Sequence, residues 1–160
     1  MSDKSKVEII QAPNTLQDRA TLLTSDENHP LDGNLILQDL AEQFVQRLPE
    51  DLKRIENALM ALEASPHDDC RVTVLFRLVH DLKGLAGTFA YPLISEISHD
   101  FCRYLEMPQS MMPRRLAVLR YHLDALKVVH RKRITGDGGD EGMRLINTLH
   151  TITQKALQDK

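Results

Sequence analysis

The sequence predicts an all-α fold: an antiparallel four-helix bundle with an N-terminal capping helix and an extra C-terminal helix. Apolar residues recur at three- and four-residue steps from Leu35 nearly to the C-terminus, which is the spacing of one helix face. Leu, Ala and Met are frequent, whereas Val and Ile rarely alternate with polar residues over a strand-length window. Proline- and glycine-marked breaks leave only short loops between the periodic stretches, which favours antiparallel neighbours.

The elements follow in order. Residues 1–34 read as a mobile tail, with Ser25, Asp26, Asn28, Pro30, Asp32 and Gly33 packed into a turn-rich stretch. From Leu35 the stripe Leu37, Leu40, Ala41, Phe44, Val45 and Leu48 predicts a short capping helix that Pro49 interrupts. Pro49, Glu50 and Asp51 then open a second helix, as expected of proline and acids in a first turn. It carries Leu52, Ile55, Leu59 and Leu62 and stops near Ser65-Pro66.

The next helix starts at Asp68-Asp69, carries Val72, Leu75, Val79, Leu82, Ala86 and Phe89, and ends near Ala90-Tyr91. Its alternating steps of three and four are those of a bundle seam. Another begins at Pro92 with Leu93, Ile97, Phe101 and Leu105, ending around Met107-Pro108. A fifth, from Pro113 to Ile134, carries Leu116, Leu119, Leu123, Leu126 and Val129. Residues 35–134 thus form the bundle. Residues 135–160 add a Gly-rich loop, Gly136 to Asp140, and a helix with Met143, Ile146, Leu149, Ile152 and Ala156 on its apolar face.

The chain has 160 residues, is 42% hydrophobic and lacks Trp, so it can bury one aliphatic core of ordinary size. A formal net charge of −3 gives no global attraction to nucleic acid or to an anionic membrane. Two local basic clusters, Arg114-Arg115 and His130 to Arg133, read as solvated helix ends whose cations complement the helix dipole. The N-terminus carries no apolar signal segment, and no apolar run approaches the roughly 18 residues of a membrane span. A cytoplasmic location is therefore expected, with Cys70 and Cys102 as free thiols in small apolar roles. His29, His67, His122, His130 and His150 have no metal-ligand spacing and read as surface residues.

The helix from Asp69 has a second stripe. Phe76, His80, Lys83, Gly84 and Gly87 share the face opposite its apolar seam. Each helix-interior glycine costs about 1 kcal/mol relative to alanine. One reading is helix–helix packing. The other is access, a bare strip that lets another molecule approach an imidazole and an ammonium. A free imidazole titrates near about 6.5, so it is mostly neutral in the cytosol and a usable nucleophile. Phosphoryl transfer needs positioning and charge neutralisation more than acid–base work. Lys83, one turn along from His80, would supply the positive charge. No phosphate-binding loop and no metal-binding carboxylate pair accompany them, so phosphoryl donor and metal would come from a partner.

The run His80-Asp81-Leu82-Lys83-Gly84-Leu85-Ala86-Gly87-Thr88-Phe89 resembles the signature of histidine phosphotransfer (HPt) domains, whose core is His-x-x-Lys-Gly followed by small residues. The likeness continues through Leu93, Ile97 and Leu105-Glu106. The run Ala86 to Phe89, with His99, is similar to the phosphotransfer domain of chemotaxis histidine kinases. Asp124-Ala125-Leu126 and the loop from Gly136 are closer to stand-alone alphaproteobacterial HPt proteins.

The resemblance implies a phosphocarrier without its own nucleotide or metal site. His80 would be phosphorylated, Lys83 would steady the phosphoryl group, and Gly84 and Gly87 would make room for the partner. Phe76 is either a docking contact or a core-edge residue, and His99 either a polar contact or a neutral neighbour. The implied partners are response-regulator receiver domains and a hybrid histidine kinase, with Mg²⁺ on the receiver, no cofactor on this chain and a monomeric state. Two alternatives stay open: a helical adaptor that is never phosphorylated, and a module phosphorylated directly from ATP by a kinase. The chain departs from the family pattern twice. Ala90 stands where the family usually has Gly, and Cys102 where the chemotaxis kinases face the imidazole with Glu.

Overall fold

A computed structural model describes residues 33–108 and 112–158; of the expected tail, residues 1–34, the first 32 lie outside them, and Gly33 and Asn34 belong instead to the first helix. The described residues form five helices and no strand: α1 (Gly33–Ala64), α2 (Asp69–Thr88), α3 (Pro92–Leu105), α4 (Met112–Arg131) and α5 (Gly139–Gln158). α1 packs on α2 and α4, α2 on α3, and α3 on α4, closing a four-helix ring around an aliphatic core. α5 lies outside, against α4. No described helix is long and apolar enough to cross a membrane.

The expected break at Pro49 is absent. The two helices predicted on either side of it are one 32-residue helix, α1. The buried stripe explains this. Phe44, Leu48, Leu52, Ile55, Leu59 and Leu62 keep their three- and four-residue steps straight through the proline. An interior proline costs about 3 kcal/mol. Burying Leu48 and Leu52 on either side offsets that, while Pro49 itself faces solvent. What was expected as a capping helix is therefore the start of α1. Of its expected apolar residues only Phe44 and Leu48 are buried; Leu37, Leu40 and Val45 are exposed. Phe44 closes this end of the core against Phe89 and Tyr91, with ring centroids 5.7 and 5.3 Å away.

Several smaller expectations are also corrected. Arg115 is not a solvated helix end: it is buried and donates to the carbonyls of Leu105 and Met107, satisfying the end of α3. His122 is not a surface residue. It is fully buried against Phe101 and Tyr104, with Nδ1 2.8 Å from the Val118 carbonyl oxygen. Of the two thiols Cys102 is buried but Cys70 is exposed.

α5 is rotated from its expected face. Gly142, Leu149 and Thr153 are buried, while Met143 and Ile152 are exposed. Gly142 sets that rotation, because a Cβ there would lie 2.0 Å from the Asp137 carbonyl oxygen. His150 of α5 pairs with the buried Asp100 of α3 at 2.9 Å, and Lys132 pairs with Glu141.

Candidate functional site

α2 is anchored at both ends. At the start, Asp68 is the N-cap and accepts from the backbone N–H groups of Cys70 and Arg71 at 2.9 and 3.3 Å. Arg71 pairs with Asp68 and donates to the Ala61 carbonyl of α1, 2.8 Å away. At the far end the Tyr91 N–H donates to the Ala86 carbonyl at 2.8 Å, the long bond of a Schellman turn. Ala90 occupies the left-handed position of that turn, at φ +61°. Between these anchors Leu75, Val79, Leu82 and Ala86 face the core.

His80 lies on the opposite face, exposed, in the middle of the helix. Phe76, one turn before it and half-buried against the core, stacks on the imidazole at 5.7 Å with the rings 22° apart. Phe76 is thus packed at the edge of the core, with its ring against the histidine. Lys83 is half-buried one turn further on, and Gly84 and Gly87 are exposed.

Packing among the described residues does not require the two glycines. A Cβ on Gly84 would meet nothing within 4 Å, and one on Gly87 would meet only the Ser95 hydroxyl at an ordinary 3.5 Å. The strip along α2 is open for something outside the described residues.

α3 forms the other wall. Lys83, Gly84, Gly87, Ser95, Glu96 and His99 line a shallow open groove between the two helices. The Ser95 hydroxyl ties the walls by donating to the Lys83 carbonyl at 3.1 Å. His99 therefore joins Lys83 and the glycines, while Phe76 touches His80. Ser95 and Glu96 were not singled out from the sequence. Their only signal is their place one turn into the helix that Pro92 opens.

Behind Lys83, burial pushes the Cys102 thiol up to about 11, against the pull of the Lys83 ammonium. Cys102 is therefore a neutral thiol, and no carboxylate is paired with His80 among the described residues. No group of His, Cys, Asp or Glu among them could hold a metal ion. Chemically, the surface offers an unhindered imidazole steadied by a stacked ring, a neighbouring ammonium, and backbone exposed to close approach.

The Hpt domain family model matches residues 39–128. The chain is 28% identical over 127 residues to chemotaxis protein CheA of Rhizobium meliloti, covering 76% of this chain and 17% of that protein. It is 33% identical over 99 residues to CheA of Cereibacter sphaeroides, covering 59% of this chain and 14% of that one. The chain thus corresponds to a small fraction of the length of these relatives. No solved structure matches significantly.

Proposed function

The chain belongs to the Hpt domain family, and from that premise we propose that it carries a phosphoryl group on His80 between aspartates of partner receiver domains. The observation that carries this reading is the empty space over Gly84, next to an exposed imidazole and Lys83. An in-line approach to His80 brings a partner's backbone against α2, and a side chain at position 84 would stand in its way.

The transfer needs little from this chain. The lone pair of a neutral imidazole nitrogen attacks the phosphorus of an aspartyl phosphate. The P–N bond forms, the P–O bond to the carboxylate breaks, and the carboxylate departs with the electron pair. Lys83 balances charge on the phosphoryl oxygens, Phe76 holds the ring, and His99 contacts the docked partner across the groove. Magnesium bound by the receiver supplies the remaining charge neutralisation. The second step reverses the first onto another receiver. The phosphoryl donor upstream is a hybrid histidine kinase, through its own receiver. In this reading residues 35–134 are the phosphotransfer body, acting as a monomer in the cytoplasm.

The test is incubation with a phosphorylated receiver. The wild-type chain is expected to gain an acid-labile, base-stable label, and His80→Gln to gain none while keeping its helical content. A labelled His80→Gln protein overturns the assignment. A second reading, phosphorylation by a kinase directly from ATP, is favoured by the likeness of Ala86 to Phe89 to chemotaxis kinases. Labelling by phosphorylated receivers without any kinase decides against it.

A further inference from the structure

Between α1, the start of α3 and the end of α4 lies a groove of about 390 Å³, floored by Val45, Leu48, Tyr91, Ile94, Val129 and Ile134. That volume falls within the range of small-molecule clefts. The Tyr91 ring leans on Phe44, with centroids 5.3 Å apart, and every other floor side chain is aliphatic. The polar side chains that line it are His130, Arg133 and Thr135, and none is acidic. The groove shares no lining residue with the one beside Lys83 and Gly84.

Arg133 stands there against a local cost. α4 ends in a Schellman turn: the Ile134 N–H donates to the Val129 carbonyl and the Arg133 N–H to the His130 carbonyl, each at 3.0 Å. Arg133 holds the left-handed position of that turn, at φ +54°, where glycine is the favoured residue. A cation at a helix end ordinarily serves the last carbonyls. Here those of Val128, Val129 and His130 are already taken by the backbone N–H groups of Lys132, Ile134 and Arg133. Neither His130 nor Arg133 pairs with a carboxylate among the described residues. An arginine in a glycine position, facing an apolar groove, is what a ligand's charge accounts for and the turn does not.

We infer that the groove binds an amphipathic anion, an unbranched aliphatic carboxylate of the fatty-acid class. Its chain lies on the floor, and its head meets Arg133, His130 and the Thr135 hydroxyl at the rim. The floor selects the chain: a ligand with polar atoms along its length buries them there unpaired, whereas a hydrocarbon buries none. The rim selects the head, because the charged side chain that lines the groove is a guanidinium, which suits a carboxylate. The site needs no phosphorylation and stands or falls independently of the phosphoryl chemistry on His80.

Titration of decanoate, below its micellar concentration, into the full-length chain with isotope-labelled methyl groups tests this. Saturable one-to-one binding is expected, with methyl shifts centred on Val45, Leu48, Ile94, Val129 and Ile134. Octanoate, two methylenes shorter, should bind roughly 5- to 15-fold more weakly. Decanol, which keeps the chain and loses the charge, should bind more weakly than decanoate. Arg133→Gly separates binding from folding. It should raise the unfolding temperature, since glycine suits the left-handed turn, and weaken decanoate roughly 2- to 5-fold while leaving decanol unchanged. Val45→Asp, at an exposed position, should weaken both. Absence of saturable binding overturns the proposal, as do shifts centred on the exposed Met143 and Ile152 of α5. Decanol binding as tightly as decanoate, or Arg133→Gly binding decanoate as well as the wild type, overturns it too.

Discussion

Phe76 lies against the His80 imidazole with ring centroids 5.7 Å apart and planes within 22°. The contact narrows the orientations the ring can take before a partner arrives. An aromatic pair of this kind contributes about 0.5–1.5 kcal/mol. Phe76→Ala is expected to slow phosphoryl uptake from a receiver roughly 2- to 10-fold on that basis. Phe76→Tyr should retain most of the rate. Single-turnover labelling of the two variants checks both.

Gly84 should separate stability from activity. With nothing within 4 Å of a Cβ there, Gly84→Gln gains the helix propensity that glycine lacks. The variant should be more stable by up to about 1 kcal/mol. The same side chain stands where the receiver backbone must come, so phosphotransfer should fall by orders of magnitude. Urea denaturation and receiver labelling on one protein sample measure the opposite signs.

Ala90 holds the left-handed position that ends α2, at φ +61°. Glycine takes that conformation without the Cβ clash, so Ala90→Gly should stabilise the fold by about 1 kcal/mol. Thermal unfolding should shift upward, with helical content unchanged.

His122 predicts an acid-side weakness. Burial pushes its pKa below the ordinary 6.5, outweighing the Val118 carbonyl and Asp100, which pull it upward. The unfolded chain therefore binds a proton that the folded chain resists. Stability from this residue is complete above pH 6.5 or so and declines as pH falls below it. His122→Phe, which keeps an aromatic ring between Phe101 and Tyr104, should flatten the stability profile between about pH 6.5 and 5. Denaturation midpoints of the two proteins across that range give the comparison.

Much of the architecture could be read from apolar spacing, because Leu75, Val79, Leu82 and Ala86 announce a seam by period alone. Pro49 misled because a local rule about proline competes with a longer-range one. Leu48 and Leu52, four residues apart across it, were the stronger signal. His122 and Arg115 misled because polarity is a poor guide when one ring nitrogen or a guanidinium can find carbonyls inside. α5 was rotated because Gly142 and Thr153, neither of them large and apolar, make its inner face. The His80, Lys83 and Gly84 part of the site was legible because it lies within a single helix. Ser95 and Glu96 were not, since their place beside it depends on how α3 leans on α2.

Pro49 gives α1 a mechanical seam. Lacking an amide hydrogen, it withholds the bond that the Val45 carbonyl would otherwise accept. A load on the first turns of α1 is therefore passed down less by the backbone ladder than by the side chains of Leu48 and Leu52 gripping the bundle. The helix behaves as a lever whose fulcrum is set by those two leucines.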